Sequence, residues 1–135
     1  TMAEKTLAII KPDAVKKNVI GRIIQRIEDE GFQIRALRMV NLTKEDAKGF
    51  YIIHKSKPFY EDLTDFMSSG PAVVIMLERD DAIAKWREVM GSTDPAKAAP
   101  GTIRRAFGFS IEQNSVHGSD ARETADWELG YFFKK

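Results

Sequence analysis

The segment Asn114-Ser115-Val116-His117-Gly118-Ser119-Asp120 sets one of the chain's two histidines between an apolar β-former and a glycine. Imidazole is the side chain that is ordinarily an uncharged nucleophile near neutral pH. The following glycine lets a bulky ligand approach the backbone. Polar, glycine-flanked loops are also where catalytic groups concentrate. A nucleophilic ring needs an acceptor on its other nitrogen to fix the tautomer. Glu128 lies eleven residues on and supplies that acceptor if the final helix folds back. On spacing alone, an exposed helix glutamate is the commoner case. Ser119 is either a hydrogen-bond partner near the ring or a turn residue. His54, in Ile53-His54-Lys55 without a glycine neighbour, reads as a surface residue.

Five other side chains suit phosphate. Lys11 ends an apolar run, at a strand end where α/β proteins place ligand contacts. Arg87 follows Trp86, and Arg104 follows Pro100-Gly101-Thr102-Ile103. With Thr93 and Asn114 they offer a point charge, forked guanidiniums, a hydroxyl and an amide. Singly, each is an ordinary solvated or strand-end residue, and spacing does not bring them together. Phe59, just after Pro58, is either a stacking platform for a base or a core residue. Gly-rich phosphate loops, kinase H-R-D and D-F-G signatures and the G-x-S-x-G elbow are all absent from the sequence. Two histidines 63 positions apart make no local metal motif. Phosphate chemistry here would rest on side-chain donors, with Mg²⁺ held mainly by phosphates and water.

The elements that must position these groups follow from periodicity. Lys5 to Ile10 reads as a buried strand, broken by Lys11-Pro12-Asp13. Ile20, Ile23, Ile24 and Ile27 form one helix face, and Gly31 is a left-handed cap. Residues 32–42 are extended. Thr43 caps a helix with Asp46 in its first turn and Phe50 and Tyr51 along it. After Lys57-Pro58, the positions Leu63, Phe66 and Met67 continue a helical stripe. A turn at 68–71 leads to the apolar strand 72–77. Ile83, Trp86 and Met90 mark a helix that Gly91 ends. The loop 92–101 is followed by one or two helical turns over 102–107 and a short strand over 114–117. Asp120 with Glu123 resembles a capping box at the head of a helix from Arg122 to Phe133. The order predicts an α/β (α+β) fold, a ferredoxin-like sandwich. Its four-stranded antiparallel sheet is covered by helices, with a helical insertion and a loop at about 91–115.

The 135 residues fit one domain, 1–135, able to bury a real core. With no cysteine, disulfide frameworks, cysteine-ligated zinc and thiol catalysis are excluded. No apolar run approaches the roughly 20 residues of a membrane span, and no signal segment opens the chain. A cytoplasmic protein is expected, without a membrane partner. Thr1, before Met2, reads as an added remnant. A net charge of +1 is not that of a nucleic-acid binder.

The heptapeptide resembles the N-x-x-H-G-S-D signature of nucleoside diphosphate kinases. So do Thr6 to Val15 (TLAIIKPDAV), Gly49-Phe50-Tyr51, Lys57-Pro58-Phe59, Met67 to Pro71, Gly91 to Pro95 and Pro100 to Arg104, in family order along essentially the whole chain. The resemblance implies a ping-pong kinase. His117 takes the γ-phosphate of a nucleoside triphosphate, mainly ATP, and passes it to another diphosphate. Base specificity would be low, and NTP and dNTP pools would be maintained. It implies that Glu128 and Ser119 orient the ring, and that Lys11 and Tyr51 lie beside the reacting phosphate. Arg87, Thr93, Arg104 and Asn114 would hold phosphates and sugar, and Phe59 would stack on the base. Gly118 would leave room for the phosphoryl group. Mg²⁺ is the implied cofactor, and a homo-oligomer, tetramer or hexamer, the implied assembly. Lys57 stands where many members carry arginine, and Arg105 where glycine is frequent. The chain stops soon after Phe133, which leaves the assembly open. A nucleotide-binding regulatory protein with little turnover is the alternative. A ferredoxin-like RNA-binding module is disfavoured by the near-neutral charge and the lack of an RNP1 pattern.

Overall fold

A computed structural model describes residues 3–133. Strand β1 (Ala3–Ile10) is buried from Thr6 onward, as a central strand covered on both faces should be. It lies between β3 (Ala72–Asp80) and β4 (Val116–Gly118) in a four-stranded sheet of order β2-β3-β1-β4, where β2 is Gln33–Val40. All three pairings are antiparallel. This is the ferredoxin-like sandwich expected from the element order.

Side-chain alternation divides the sheet into two cores. Ala8, Ile10, Val73, Ile75 and Val116 meet α2 (Ile20–Asp29) and α5 (Ala82–Met90) through Ile23, Ile27, Trp86 and Val89. Leu7, Ile9 and Val74 meet α3 (Lys44–Phe50), α4 (Tyr60–Met67) and α7 (Arg122–Phe132) through Phe50, Met67 and Leu129. Val116 points to the first core. His117, the next residue, therefore turns toward the second face, where α3 and α7 lie.

Several boundaries differ from the sequence expectation, each for a local reason. Lys11-Pro12-Asp13 does not only break the strand. Pro12 opens a short helix, α1 (Pro12–Lys16), because its missing N–H and fixed φ suit a first helical position. Tyr51 is not on α3 but caps its C-terminus, and a 3-10 turn, Ile52–His54, follows. On α4 the buried positions are Tyr60, Thr64 and Met67, while Leu63 and Phe66 are half-buried. Strand β3 runs on to Asp80, since pairing with β1 continues beyond the apolar run. Asp120 caps nothing: the cap of α7 is Ala121, without a side-chain bond. A capping box does form at Thr43, whose hydroxyl accepts from the Asp46 N–H while Asp46 accepts from the Thr43 N–H.

The long connection before β4 is ordered by its own bonds. It carries a 3-10 turn, Pro95–Lys97, and α6 (Ile103–Phe107), capped by the Thr102 hydroxyl. Arg105 donates to the carbonyls of Ala96 and Ala98. The cation that departs from the family pattern thus ties the loop down. Among the described residues, no helix is long and apolar enough to cross a membrane.

Candidate active site

Strand β4 carries His117 opposite Ile9 of β1. The indole N–H of Trp86 donates to the His117 carbonyl at 3.1 Å, so the backbone is held from sheet and helix alike. The ring is held as well. Its Nε2 lies 3.0 Å from Glu128 Oε1, and the Ser119 hydroxyl donates to the same oxygen at 2.7 Å. Glu128 and Ser119 are both buried. A carboxylate only accepts, so Nε2 carries the proton and Nδ1 keeps its lone pair. The rings of Phe50 and Tyr51 meet the imidazole edge-on, at 5.4 and 6.0 Å between centroids. The sequence condition on Glu128, that α7 fold back over the loop, is met.

The Tyr51 hydroxyl is buried without a hydrogen-bond partner. Burial first, and the Glu128 carboxylate second, push the phenol far up. It stays a neutral donor with a free proton beside the ring. Lys11 follows β1 directly and donates through Nζ to Asn114 Oδ1 at 2.8 Å. Asn114 in turn donates to the Thr93 carbonyl at 3.0 Å. Burial, then Arg104, lower the Lys11 pKa to about 8, against a pull upward from Asp13 and Glu112. Arg104 donates to the carbonyls of Gly91 and Val116 at 3.0 and 2.9 Å. Burial, then Arg87, bring it down to about 10. Arg104, on the cavity wall, and Lys11, buried behind it, are two cations whose pKa values are both lowered, a cost that a nearby anion would relieve.

The cavity, of about 440 Å³, is walled by His117, Tyr51, His54, Arg87, Thr93 and Arg104 among others. Its size suits a small-molecule ligand. Lys11, Asn114 and Ser119 stand behind the wall, buried, Lys11 bonded to Asn114 and Ser119 to the Glu128 carboxylate that holds the ring. Phe59 is outside the wall. The residue is 46 % exposed, and its ring centroid lies 5.5 Å from that of His54 and 5.8 Å from Lys57 Nζ. Phe59 thus stands at the mouth, and Lys57 sits over it rather than in the cavity.

His54 is the residue that sequence reasoning missed. It is half-buried, lines the cavity, and leaves a buried Nδ1 without a partner. Burial, then the charge of Lys57, lower its pKa. Nothing adjacent in sequence marks it. The usable signal was its position three residues after Tyr51, which in a 3-10 turn eclipses the two side chains. Gly118 has a packing role that the sequence did not show. A Cβ there would stand 2.5 Å from Trp86 Cδ1 and 2.7 Å from Met90 Cε. The glycine admits the indole, and it lines the cavity beside His117 as well.

Among the described residues, no group of three or more His, Cys, Asp or Glu could hold a metal. The donors that converge are cations, hydroxyls and amides, which match phosphate oxygens. A divalent ion that accompanies phosphate oxygens is compatible with this donor set.

The nucleoside diphosphate kinase family model matches residues 4–135. A nucleoside diphosphate kinase of Geobacter sulfurreducens is 55 % identical over 132 residues, spanning 98 % of this chain and 96 % of that protein. One from Oleidesulfovibrio alaskensis is 56 % identical over 132 residues, spanning 98 % and 95 %. The crystal structure of the Aquifex aeolicus nucleoside diphosphate kinase superposes with a TM-score of 0.96 at 45 % identity, covering 98 % of this chain and 96 % of that one. With the sheet order, the held imidazole and the cationic cavity already in place, these likenesses over nearly the whole length show that the chain belongs to the nucleoside diphosphate kinase family.

Proposed function

We propose that the chain transfers the γ-phosphate of a nucleoside triphosphate, mainly ATP, to a nucleoside diphosphate through a phosphohistidine on His117. The contact that carries this reading is His117 Nε2 to Glu128 Oε1 at 3.0 Å, which leaves Nδ1 as the nucleophile. Nδ1 attacks the γ-phosphorus, and the bond to the bridging oxygen breaks. The diphosphate leaves with that electron pair. The ring gains positive charge, and Glu128, itself steadied by Ser119, stabilises it. A second diphosphate then attacks the phosphorus and frees Nδ1. Such transfer asks mostly for positioning and charge neutralisation. Arg87, Arg104, Thr93 and Lys11 supply these, the last with Asn114 holding its ammonium in place. Tyr51, and His54 with it, face the reacting phosphate. Phe59 at the mouth offers a stacking face that every base shares, which supports low base specificity. Mg²⁺, bound by phosphates and water, supplies further charge neutralisation when present.

The same reading takes residues 1–135 as one domain working as a homo-oligomer, tetramer or hexamer, in the cytoplasm to balance NTP and dNTP pools. The family likeness supports it. Nucleic acid and membrane have no part in it.

The test is incubation with γ-labelled ATP, isolation of the protein, and addition of a diphosphate. Acid-labile, base-stable label on the protein, chased into new triphosphate, is the expected result. Transfer only when both nucleotides are present together, with no labelled protein, would sink the ping-pong scheme.

Lys11 gives the scheme a pH signature. Its pKa is about 8 in the folded chain against an ordinary 10.5. Between these values the unfolded chain binds more protons, so stability rises with pH there, and below about 8 the buried charge is a stability cost. A bound phosphate restores the ammonium and takes up a proton. kcat/KM, which follows the free enzyme, should fall as pH rises through about 8, while kcat falls only at higher pH. Calorimetry near that pH, in buffers of different ionisation enthalpy, should show proton uptake on nucleotide binding. Binding without uptake would remove Lys11 from the phosphate site.

A further inference from the structure

We infer that Asp13 is a positioning residue for the phosphoryl transfer proposed above: its carboxylate holds Ser115 in a left-handed turn and thereby fixes where Asn114 and His117 stand. This rests on the proposed function, which did not use Asp13.

Ser115 is fully buried with φ +78°. The N–H of Val116 donates to the Asn114 carbonyl across it at 3.0 Å. A bond from i+2 to i with that sign of φ is a γ-turn of the rare, strained kind. A serine has no intrinsic reason to stay there. Two contacts from one short segment keep it. The Ser115 N–H donates to Asp13 Oδ2 at 3.1 Å, and the Lys11 N–H donates to the Ser115 carbonyl at 2.9 Å. The same segment reaches Asn114, through Lys11 Nζ. Residues 11 and 13 thus clamp 114 and 115 at three points, two residues before the nucleophile.

Strain held by its surroundings is characteristic of functional sites. Asp13 is itself buried. Burial pushes its carboxyl up, while Lys11 and the backbone N–H groups of Ser115, Asp13 and Ala14 pull it down. A carboxylate placed against its own desolvation is there for the groups it touches. If Ser115 relaxes to negative φ, the chain direction changes at the start of β4. Asn114 then leaves Lys11, and the ring of His117 leaves the line set by Glu128.

Asp13→Ala, Asp13→Asn and Ser115→Gly, alone and combined, test this. Asparagine can still accept from the Ser115 N–H, and glycine adopts positive φ without help. Asp13→Ala should lower kcat by about 10- to 100-fold, with KM within about 3-fold, as misplacement of a reacting group does. Asp13→Asn should recover most of that loss. In the Ser115→Gly background the same Asp13→Ala change should cost less than about 5-fold, because the two positions are coupled. Amide exchange at Ser115 should quicken by about 10-fold or more in Asp13→Ala. Asp13→Asn as poor as Asp13→Ala, with melting temperature falling in step, would reduce Asp13 to a structural residue and overturn the inference. So would an equal loss in the Ser115→Gly background. Unchanged Ser115 exchange in an otherwise active Asp13→Ala protein overturns the clamp alone. A wild-type chain without phosphotransfer overturns the proposed function, and the positioning role with it.

Discussion

His117→Ala should abolish both labelling from γ-labelled ATP and transfer to a diphosphate, by at least about 10⁴-fold, because no other group can accept the phosphoryl. The cavity offers no substitute nucleophile of equal standing. His54, its other imidazole, is set apart by the Tyr51 ring, and its Nδ1 is buried without a partner. The Tyr51 phenol is held neutral by burial. Lys11 is spent on Asn114. Nucleotide affinity should change by less than about 3-fold, since the proposed phosphate donors Arg87, Arg104 and Thr93 would act on the ground state independently of the ring. Glu128 keeps its bond from Ser119 when the imidazole goes, so the carboxylate is not orphaned and the fold should survive. The variant therefore separates binding from chemistry. Retained labelling would remove His117 from its assigned role. Retained transfer without labelling would point instead to direct passage between two bound nucleotides.

The frame of this site was legible because buried strands write an apolar run, and amphipathic helices a period, into the sequence. Lys5 to Ile10 and the isoleucines of α2 are examples. The heptapeptide around His117 stood out because a histidine in a polar, glycine-flanked loop is a residue type suited to chemistry. What stayed hidden depends on register. Whether Lys11 meets Asn114 is decided by β1 lying beside β4, and β4, with three residues, is too short to show alternation of its own. Asp13 was seen only as part of a strand break, because a proline inside a polar tripeptide signals both an interruption and a helix start. His54 was set on the surface because the turn that brings it beside Tyr51 has no apolar period. Asp120 with Glu123 had the spacing of a capping box, yet α7 starts after Ala121. Thr43 with Asp46 had the cap and formed the box. Spacing permits a cap, but the approach of the chain decides it.

Gly118 shows the same limit, and its substitution is the largest structural effect expected here. The residue after a nucleophilic histidine invites the view that its missing side chain makes room for substrate. The space is already taken by Trp86. A Cβ at position 118 would lie 2.5 Å from Trp86 Cδ1, 2.7 Å from Nε1 and 2.7 Å from Met90 Cε. The indole cannot yield easily. It is fully buried, its ring meets Phe32 edge-on at 6.0 Å between centroids, and its N–H is bonded to the His117 carbonyl. Gly118→Ala should thus destabilise the chain by about 1–3 kcal/mol, the usual cost of overpacking, lowering Tm by several degrees. It should also lower kcat, because any shift of Trp86 releases the carbonyl of His117, the proposed nucleophile. Trp86→Phe gives the decisive comparison. The smaller ring opens space at position 118 but loses the N–H, so alone it should cost stability. Combined with Gly118→Ala, the loss should be smaller than the sum of the two, since they relieve one collision. Strictly additive losses would mean that the alanine strains something other than the indole. Intact stability with lost nucleotide turnover would return Gly118 to the role of a clearance for the phosphoryl group.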